Sequence, residues 1–290
     1  MGVPFLRVRF ILLRAAVLIV AAWVTIVLTI SGGYVRALTH PACARAEAVP
    51  AGFTPVALTT ADGARLLSWW TVPSNGVAVV LQAGHGGSRD AMLDRARLLA
   101  RHGYGALSLD TRSCAGQPAT IGAREVEDLR AGTRFVLRQP GVRKVAVLGF
   151  SAGAVSAIRG AAEMPEISAV IAEGNYANMW TEIANSGAPL LSWEWQMERG
   201  TAVMLLLQVG VWPASISPID ELPRIAPRPV LLIHGEGEAE NNQAARQQAA
   251  AGANCALWIV PGADHGGYLL TAPVEYERRV IDFLNALRIE

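Results

Sequence analysis

The chain opens with one long apolar stretch and continues with short apolar runs that alternate with amphipathic ones. Residues 15–35 carry no charged side chain and are long enough to cross a bilayer as a helix. Residues 41–54 are rich in small residues and proline. The pattern predicts three parts: an N-terminal tip with a transmembrane segment (1–40), a linker (41–54) and a globular domain (55–290).

Strands and helices are predicted to alternate through the globular part. The predicted strands are 55–59, 66–72, 77–82, 105–110, 144–149, 167–173, 229–234 and 255–260, and the predicted helices are 89–101, 124–139, 152–162, 241–251 and 273–288. Only the short turn Ala61-Asp62-Gly63-Ala64 connects the first two strands, which favours a hairpin. The later strands are joined through helices, which demands a parallel arrangement. We therefore expect an α/β fold with a mostly parallel eight-stranded sheet flanked by helices.

One segment interrupts this alternation. Residues 175–225 contain no clear strand but hold four tryptophans, Trp180, Trp193, Trp195 and Trp212. A long strand-free insertion inside a compact domain is usually functional. We interpret it as a helical cap over the carboxyl ends of the strands, where α/β sheets bind ligands.

Charge at the N-terminus predicts the orientation of the transmembrane segment. Arg7, Arg9 and Arg14 lie on its N-terminal side, and the first acidic residue is Glu47. This basic flank predicts a cytoplasmic N-terminus and a globular domain on the extracytoplasmic side. A cleaved signal peptide is the alternative, but the nearest small-x-small site, Ala42-Cys43-Ala44, lies far beyond the apolar run, so an uncleaved signal anchor is favoured.

Composition excludes several classes of partner. Basic and acidic residues nearly balance, 25 against 24, and no dense basic patch suggests nucleic acid. Cys43, Cys114 and Cys255 have no metal-ligand spacing, so no metal or cofactor is expected. The favoured interpretation is that the three cysteines are small buried side chains, although one pair could form a disulfide in an oxidising compartment.

The chemistry begins with the sequence GFSAG, in which Ser151 stands between Gly149 and Gly153. A buried strand precedes it and a helix follows without a loop. Such a junction needs a very tight turn, and small neighbours let the backbones approach. The turn would push the Ser151 hydroxyl out beside the backbone N–H groups of a helix N-terminus, as in a nucleophile elbow. A serine that merely caps a helix is the simpler alternative.

The strand order, the elbow and the cap together resemble the α/β-hydrolase superfamily of serine esterases, lipases and related peptidases, over about residues 55–290. The resemblance implies a histidine that removes the proton of Ser151. Among the five histidines, His265 in the loop PGADHGGY after the last strand occupies that place.

An oxyanion hole of two N–H donors is the next implied part. One donor is expected from Ala152 and the other from His85, in the loop QAGHGGSRD after the third strand. Relatives often begin this motif with histidine, where this chain has Ala83.

The third implied part is a carboxylate that orients His265. The loop HGEGEAENN resembles His-Gly-x-x-Asp and places Glu238 at the acid position. Glu240 is the main alternative acid, and Glu236, Glu173 and Asp264 are weaker ones. Asp110 and Arg112 resemble the family's Asp-x-Arg-Gly turn, and they are expected to pair with each other and hold loops near the site.

These residues predict a membrane-anchored serine hydrolase that cleaves a carboxylic ester or thioester through an acyl-enzyme. Its partners would be a small or lipid-like acyl substrate and the membrane. Two alternatives stay open. An aminopeptidase or prolyl-peptidase-like enzyme would need an acidic group for a substrate amine, for which Glu182, Glu194 and Glu198 are candidates. A catalytically silent hydrolase fold used for binding is the other.

Overall fold

A computed structural model describes residues 3–43, 48–183 and 186–287 of the chain. Within these residues, eight strands form one sheet: β1 Thr54–Thr59, β2 Arg65–Thr71, β3 Val77–Gln82, β4 Gly105–Leu109, β5 Lys144–Phe150, β6 Ile167–Glu173, β7 Val230–Gly235 and β8 Cys255–Val260. The central strand β3 is buried along its whole length, which explains its continuous apolar run.

The strands lie in the order β1-β2-β4-β3-β5-β6-β7-β8. β1 pairs antiparallel with β2, and β2 pairs antiparallel with β4, whereas every later pair is parallel. All parallel strands therefore end at one edge of the sheet. Both the predicted hairpin and the predicted mostly parallel sheet are confirmed.

The helices of the described residues are α1 Val3–Thr39, α2 Leu93–Arg101, α3 Glu125–Leu137, α4 Ala152–Glu163, α5 Met179–Ile183, α6 Trp193–Val209, α7 Pro218–Glu221, α8 Ala244–Ala251, α9 Tyr268–Thr271 and α10 Pro273–Asn285. Short 3-10 turns lie at Arg89–Met92, Arg112–Ala115, Pro213–Ser215 and Leu222–Ile225. The helix predicted from residue 241 begins only at Ala244, because Gln243 has a φ of 54° and cannot extend it.

Two apolar layers cover the sheet. Helices α3 and α4 contribute Leu129 and Ile158 to the layer on one face. Helices α2 and α10 contribute Leu99 and Val280 to the other. Both faces are thus closed, and the edge where the parallel strands end remains open to a ligand.

Helix α1 is longer than the predicted transmembrane segment and does not stand apart from the domain. Its last turns lie along α6 of the cap, and its Val35 is fully buried in one cluster with Val155 of α4 and Leu205 of α6. Thr39 O accepts a hydrogen bond from Ala119 N at 2.7 Å. No pattern in the sequence indicates that the apolar helix shares a core with the domain.

The cysteine pairing also differs from the favoured interpretation. Cys43, just after α1, forms a disulfide with Cys114 in the turn after β4, and Cys255 is buried as a free thiol. The interpretation as three unpaired small residues was therefore wrong for two of them. A sequence separation of 71 residues leaves no local pattern from which the pair could have been read.

Candidate active site

Ser151 lies at the junction of β5 and α4 with φ 53° and ψ −120°, a conformation that non-glycine residues rarely adopt. Its backbone is fixed from both sides: Ser151 N donates to Glu173 O at 2.7 Å, and Ser151 O accepts from Ala154 N at 2.9 Å. The serine makes no side-chain cap bond to α4. The strain is therefore held by the surrounding backbone, and helix capping does not explain it.

The two glycines of GFSAG are required by close backbone contact. A Cβ atom on Gly149 would lie inside van der Waals contact with Gly153 O. A Cβ atom on Gly153 would collide in the same way with Gln82 O at the end of β3. Only glycine at both positions lets the strand pass straight into the helix.

His265 follows β8 and faces the acid loop that follows β7. Its Nδ1 lies 2.5 Å from Oε2 of Glu238. The hydrogen bond from Glu238 raises the pKa of His265 above its ordinary value, against the opposing effect of burial. This contact fixes which ring nitrogen faces the carboxylate and leaves Nε2 for the substrate side.

Glu238 is held by several donors besides His265. Its carboxylate accepts hydrogen bonds from the Tyr268 hydroxyl, from Gly235 N at 3.0 Å and from Asn242 Nδ2 at 3.1 Å. Burial would raise its pKa, but these donors and His265 together lower the pKa to about 2. Glu238 is therefore ionised at every pH at which a histidine can act as a base.

The alternative acids lie elsewhere. Glu240 is exposed, and the Glu236 carboxylate accepts from Gly262 N at 2.9 Å. Glu173 is fully buried and ion-paired with Arg95 at 2.6 Å, and it also accepts from the Tyr276 hydroxyl. Within the described residues, Glu238 is the carboxylate that the structure joins to His265.

His265 contacts Phe150, the residue that directly precedes Ser151. The His265 ring lies on the Phe150 ring with centroids 4.9 Å apart. Among the described hydrogen bonds, none joins the Ser151 hydroxyl to the His265 ring. Catalytic hydrogen bonds of this kind often tighten only when substrate binds.

The loop after β3 packs directly on the elbow. A Cβ atom on Gly84 would lie 3.1 Å from Ser151 Cβ. The loop turns back at Gly86, which has φ 67°, and Gly87 N donates to Gly84 O at 3.0 Å. Within the described residues, the backbone N–H groups of His85 and Ala152 donate to no protein acceptor, so both are available to a ligand.

The expected Asp110–Arg112 pair is replaced by three other ion pairs. Asp110 binds Arg89 at 2.9 Å, and Arg112 binds both Asp62 and Asp128 at 2.8 Å. Arg112 begins a 3-10 turn, and its side chain binds the hairpin between β1 and β2 and helix α3, whereas Asp110 binds the loop after β3. The pairs still tie the loops after β3 and β4 to the body of the domain.

Sequence reasoning missed the second layer of the site. Glu238 is contacted by Tyr268 and Asn242, and Glu173 is contacted by Arg95. Tyr268 and Arg95 are distant in sequence from their partners, and Asn242 has the pattern of an ordinary loop residue. The His-Gly-x-x-Asp resemblance was the signal for the acid. No comparable signal marks the residues that hold it.

Among the three candidate glutamates of the predicted cap, Glu182 on α5 has a pKa that the charges of His265 and Glu238 affect. Burial raises its pKa, and the charge of His265 acts against this rise. Glu198 accepts a hydrogen bond from Ser186 N at 3.1 Å, and Glu194 is exposed. The charge of Glu238 adds to the rise in the pKa of Glu182.

The comparisons with known proteins agree with this geometry. Residues 78–279 match the α/β hydrolase family, and the chain belongs to it. No curated protein sequence matches the chain. An esterase of Pyrococcus furiosus superposes with a TM-score of 0.67 at 24% identity, over 86% of this chain and 98% of the esterase.

Two further solved structures share the fold. Dienelactone hydrolase from Anabaena variabilis has a TM-score of 0.58 at 18% identity, over 81% of this chain and 97% of that one. A proline iminopeptidase from Mycobacterium smegmatis has a TM-score of 0.59 at 17% identity, over 80% of this chain and 98% of that one. At these identities the likeness concerns the fold alone. The chain is thus an α/β hydrolase whose bond specificity has to be argued from its own residues.

Proposed function

We propose that the protein is a serine hydrolase that cleaves a carboxylic ester or thioester through an acyl-enzyme. The proposal rests on the strained backbone of Ser151 at the elbow and on the hydrogen-bonded pair His265–Glu238. The His265 ring contacts the ring of Phe150, which directly precedes Ser151. Strain of this kind persists where it serves a function, because a helix cap could be made without it.

In the proposed reaction the Ser151 hydroxyl attacks the acyl carbonyl while His265 Nε2 takes its proton. The N–H groups of His85 and Ala152 bind the oxyanion that forms. His265 then gives the proton to the leaving alcohol or thiol. Water attacks the acyl-enzyme by the same route in reverse, and Glu238 stabilises the imidazolium at both stages. Every step uses only groups of this chain and water.

The location of the enzyme forms a second part of the proposal. Helix α1 includes Arg7–Thr39, which is long and apolar enough to span a membrane. Arg7, Arg9 and Arg14 favour a cytoplasmic N-terminus, and the Cys43–Cys114 disulfide fits a domain on the oxidising side. An anchored hydrolase with an apolar cap suits an apolar, lipid-like acyl substrate.

A fluorophosphonate probe tests the nucleophile on the full chain. Ser151→Ala and His265→Ala are expected to abolish labelling, because the probe reacts only with an activated serine. Ser156→Ala is the matched control: Ser156 lies on the same helix α4, but its hydroxyl is buried against Ala152 O and Gly153 O. A folded wild-type chain that does not label would favour the silent-fold alternative.

A peptidase with specificity for a substrate amine is the second candidate, and Glu182 is the observation that favours it. The exposed Glu182 carboxylate, whose charge interacts with His265 and Glu238, could bind a substrate amino terminus. Glu182→Gln should then raise KM for amino-terminal amides and leave acyl esters without an amine unaffected. If the amides are not cleaved at all, the ester assignment stands alone.

A further inference from the structure

Helices α1 and α6 pack side by side in parallel. Trp23 Nε1 donates to Gln196 Oε1 at 2.5 Å, and its ring meets Trp193 edge-on at 5.8 Å. Twelve residues further along α1, Val35 is buried with Leu205 and Val209 near the end of α6. The start of α6 therefore points toward the N-terminal part of α1, about 18 Å away from Val35 along the helix axis.

The contact between the two helices is close. Gly200 of α6 leaves no space for a side chain beside Ser31, and a Cβ atom on Gly32 would lie 3.2 Å from Met204 Cε. Gln208 Nε2 donates to Gly32 O at 2.9 Å. Small residues at the interface with a few polar bonds are typical of helices that pack within a bilayer. Whatever surrounds this part of α1 must also surround the adjoining face of α6.

A second face of α6 and the segment before it are apolar and exposed. Val203, Leu206 and Leu207 share one helix face, and Leu207 is 68% exposed. Leu190 and Leu191, which precede the helix, are 74% and 69% exposed. The glutamates of α6 lie on a different face: Glu198 is spaced with the buried residues Thr201 and Leu205.

Aromatic and basic side chains lie together beside this surface. Trp180 stacks on Trp212 at 5.4 Å, and the Arg199 guanidinium lies 4.8 Å from the Trp180 ring. Tryptophan and arginine are the residues that gather at the membrane–water interface. Helix α6 and the segment Pro213–Ile225 meet at 76°, so together they form no straight span. We therefore expect α6 and the segment after it to reach into one leaflet of the bilayer and not to cross it.

We infer that the cap is a second membrane element: the leucines before α6 and its Val203–Leu207 face insert into the outer leaflet beside α1. The occupant of this surface is the lipid bilayer, because the surface continues the side of a helix that is itself apolar enough to span. The inference rests on the proposed membrane anchor. It places the cap, and with it the substrate entrance, at the lipid surface, so that acyl substrates enter from the bilayer.

The test uses the full chain in lipid nanodiscs with a polarity-sensitive fluorophore on single introduced cysteines. Leu191→Cys and Leu207→Cys probe the cap, Leu18→Cys probes α1, and Val72→Cys is the matched exposed control. Val72 is 65% exposed and follows β2 at the sheet edge opposite the elbow. The unsubstituted chain gives the labelling background, since Cys43 and Cys114 are bonded and Cys255 is buried.

The expected result is blue-shifted emission at both cap positions and loss of most of their intensity on adding doxyl lipids, as at Leu18, with no change at Val72. Quenching at Leu18 without quenching at the cap positions would overturn the inference and leave the anchor intact. Blue-shifted cap labels that doxyl lipids do not quench would also overturn it, because a second copy of the chain would then cover the surface. If the label at Leu18 is not quenched, the proposed membrane anchor itself is wrong.

Discussion

The Nδ1 atom of His265 lies 2.5 Å from Oε2 of Glu238, although relatives place the shorter aspartate at this position of the loop. Gly235 N, Asn242 and Tyr268 donate hydrogen bonds to the Glu238 carboxylate and hold it against the ring. Each of these contacts has a consequence that can be measured.

The first prediction concerns pH. His265 must be neutral to accept a proton, and Glu238 raises its pKa, so activity should fall as pH drops through a value above that of an ordinary histidine. Glu238→Gln should move this acidic limb of kcat/KM to lower pH and reduce kcat by up to about 10⁴-fold. The pH–rate profile measures both. Glu240→Gln, at an exposed carboxylate, should change neither, and an equal effect of the two variants would contradict the assignment.

A second prediction separates two tyrosines. Tyr268 donates to Glu238, and Tyr276 donates to Glu173. Hydrogen bonds to charged groups contribute about 1.5–3 kcal/mol, so both Tyr→Phe variants should lose stability in thermal unfolding. Only Tyr268→Phe should also lower kcat and shift the acidic limb, because only Glu238 contacts His265. A kinetic change in Tyr276→Phe as large as that in Tyr268→Phe would refute this division of roles.

Much of the architecture was predictable because it follows from local pattern. The bounds of β3, β6 and β8 match the predicted strands. For β3 and β6 the reason is that buried parallel strands give continuous apolar runs that end sharply. The glycines of the elbow were predictable for a similar reason, because each is required by a contact within its own turn or with the neighbouring strand.

The long-range contacts were not predictable in the same way. Arg95 and Glu173 are 78 residues apart, and any of several arginines would satisfy the same pattern. Asp110 and Arg112 illustrate the opposite error, since the Asp-x-Arg-Gly resemblance suggested a pair, whereas each binds a partner from another part of the chain. The apolar stretch 15–35 predicted that Val35 faces lipid, but packing against α6 buries Val35 in the domain.

The strain at Ser151 gives a third prediction. Glycine adopts the φ of 53° without cost, whereas alanine does not. Ser151→Gly should therefore be more stable than Ser151→Ala by about 1 kcal/mol in the free energy of unfolding, after the greater unfolded-state entropy of glycine is subtracted. Denaturant unfolding measures the difference, and the glycine variant should unfold at the higher concentration. Both variants should be inactive. Equal stabilities would mean that the elbow relaxes when the hydroxyl is removed, and the strain would then not be set by the backbone.

The disulfide gives a fourth prediction. Cys43–Cys114 closes a loop across 71 residues and ties the end of α1 to the turn after β4, so its loss should cost about 2–4 kcal/mol. Reductant should lower the melting temperature of the wild-type chain and have no further effect on Cys43→Ser/Cys114→Ser. Cys255→Ala is the control, since Cys255 is unpaired, and it should keep the full response to reductant. A wild-type chain indifferent to reductant would show that the bond is absent in solution.

The last prediction tests whether the end of the apolar helix belongs to the hydrolase core. Val35 is fully buried with Val155 of α4, the helix that begins at the elbow, and Pro41 beyond it packs on Gly86 of the loop after β3. Val35→Ala should therefore destabilise the domain by about 2 kcal/mol, measured by thermal unfolding in detergent. Val20→Ala, at a position on the same helix that is 61% exposed, should leave the domain unchanged. If the two variants unfold alike, α1 is a tether; if they differ as expected, removing the helix by cleavage near Ala44 would open the core behind Ser151.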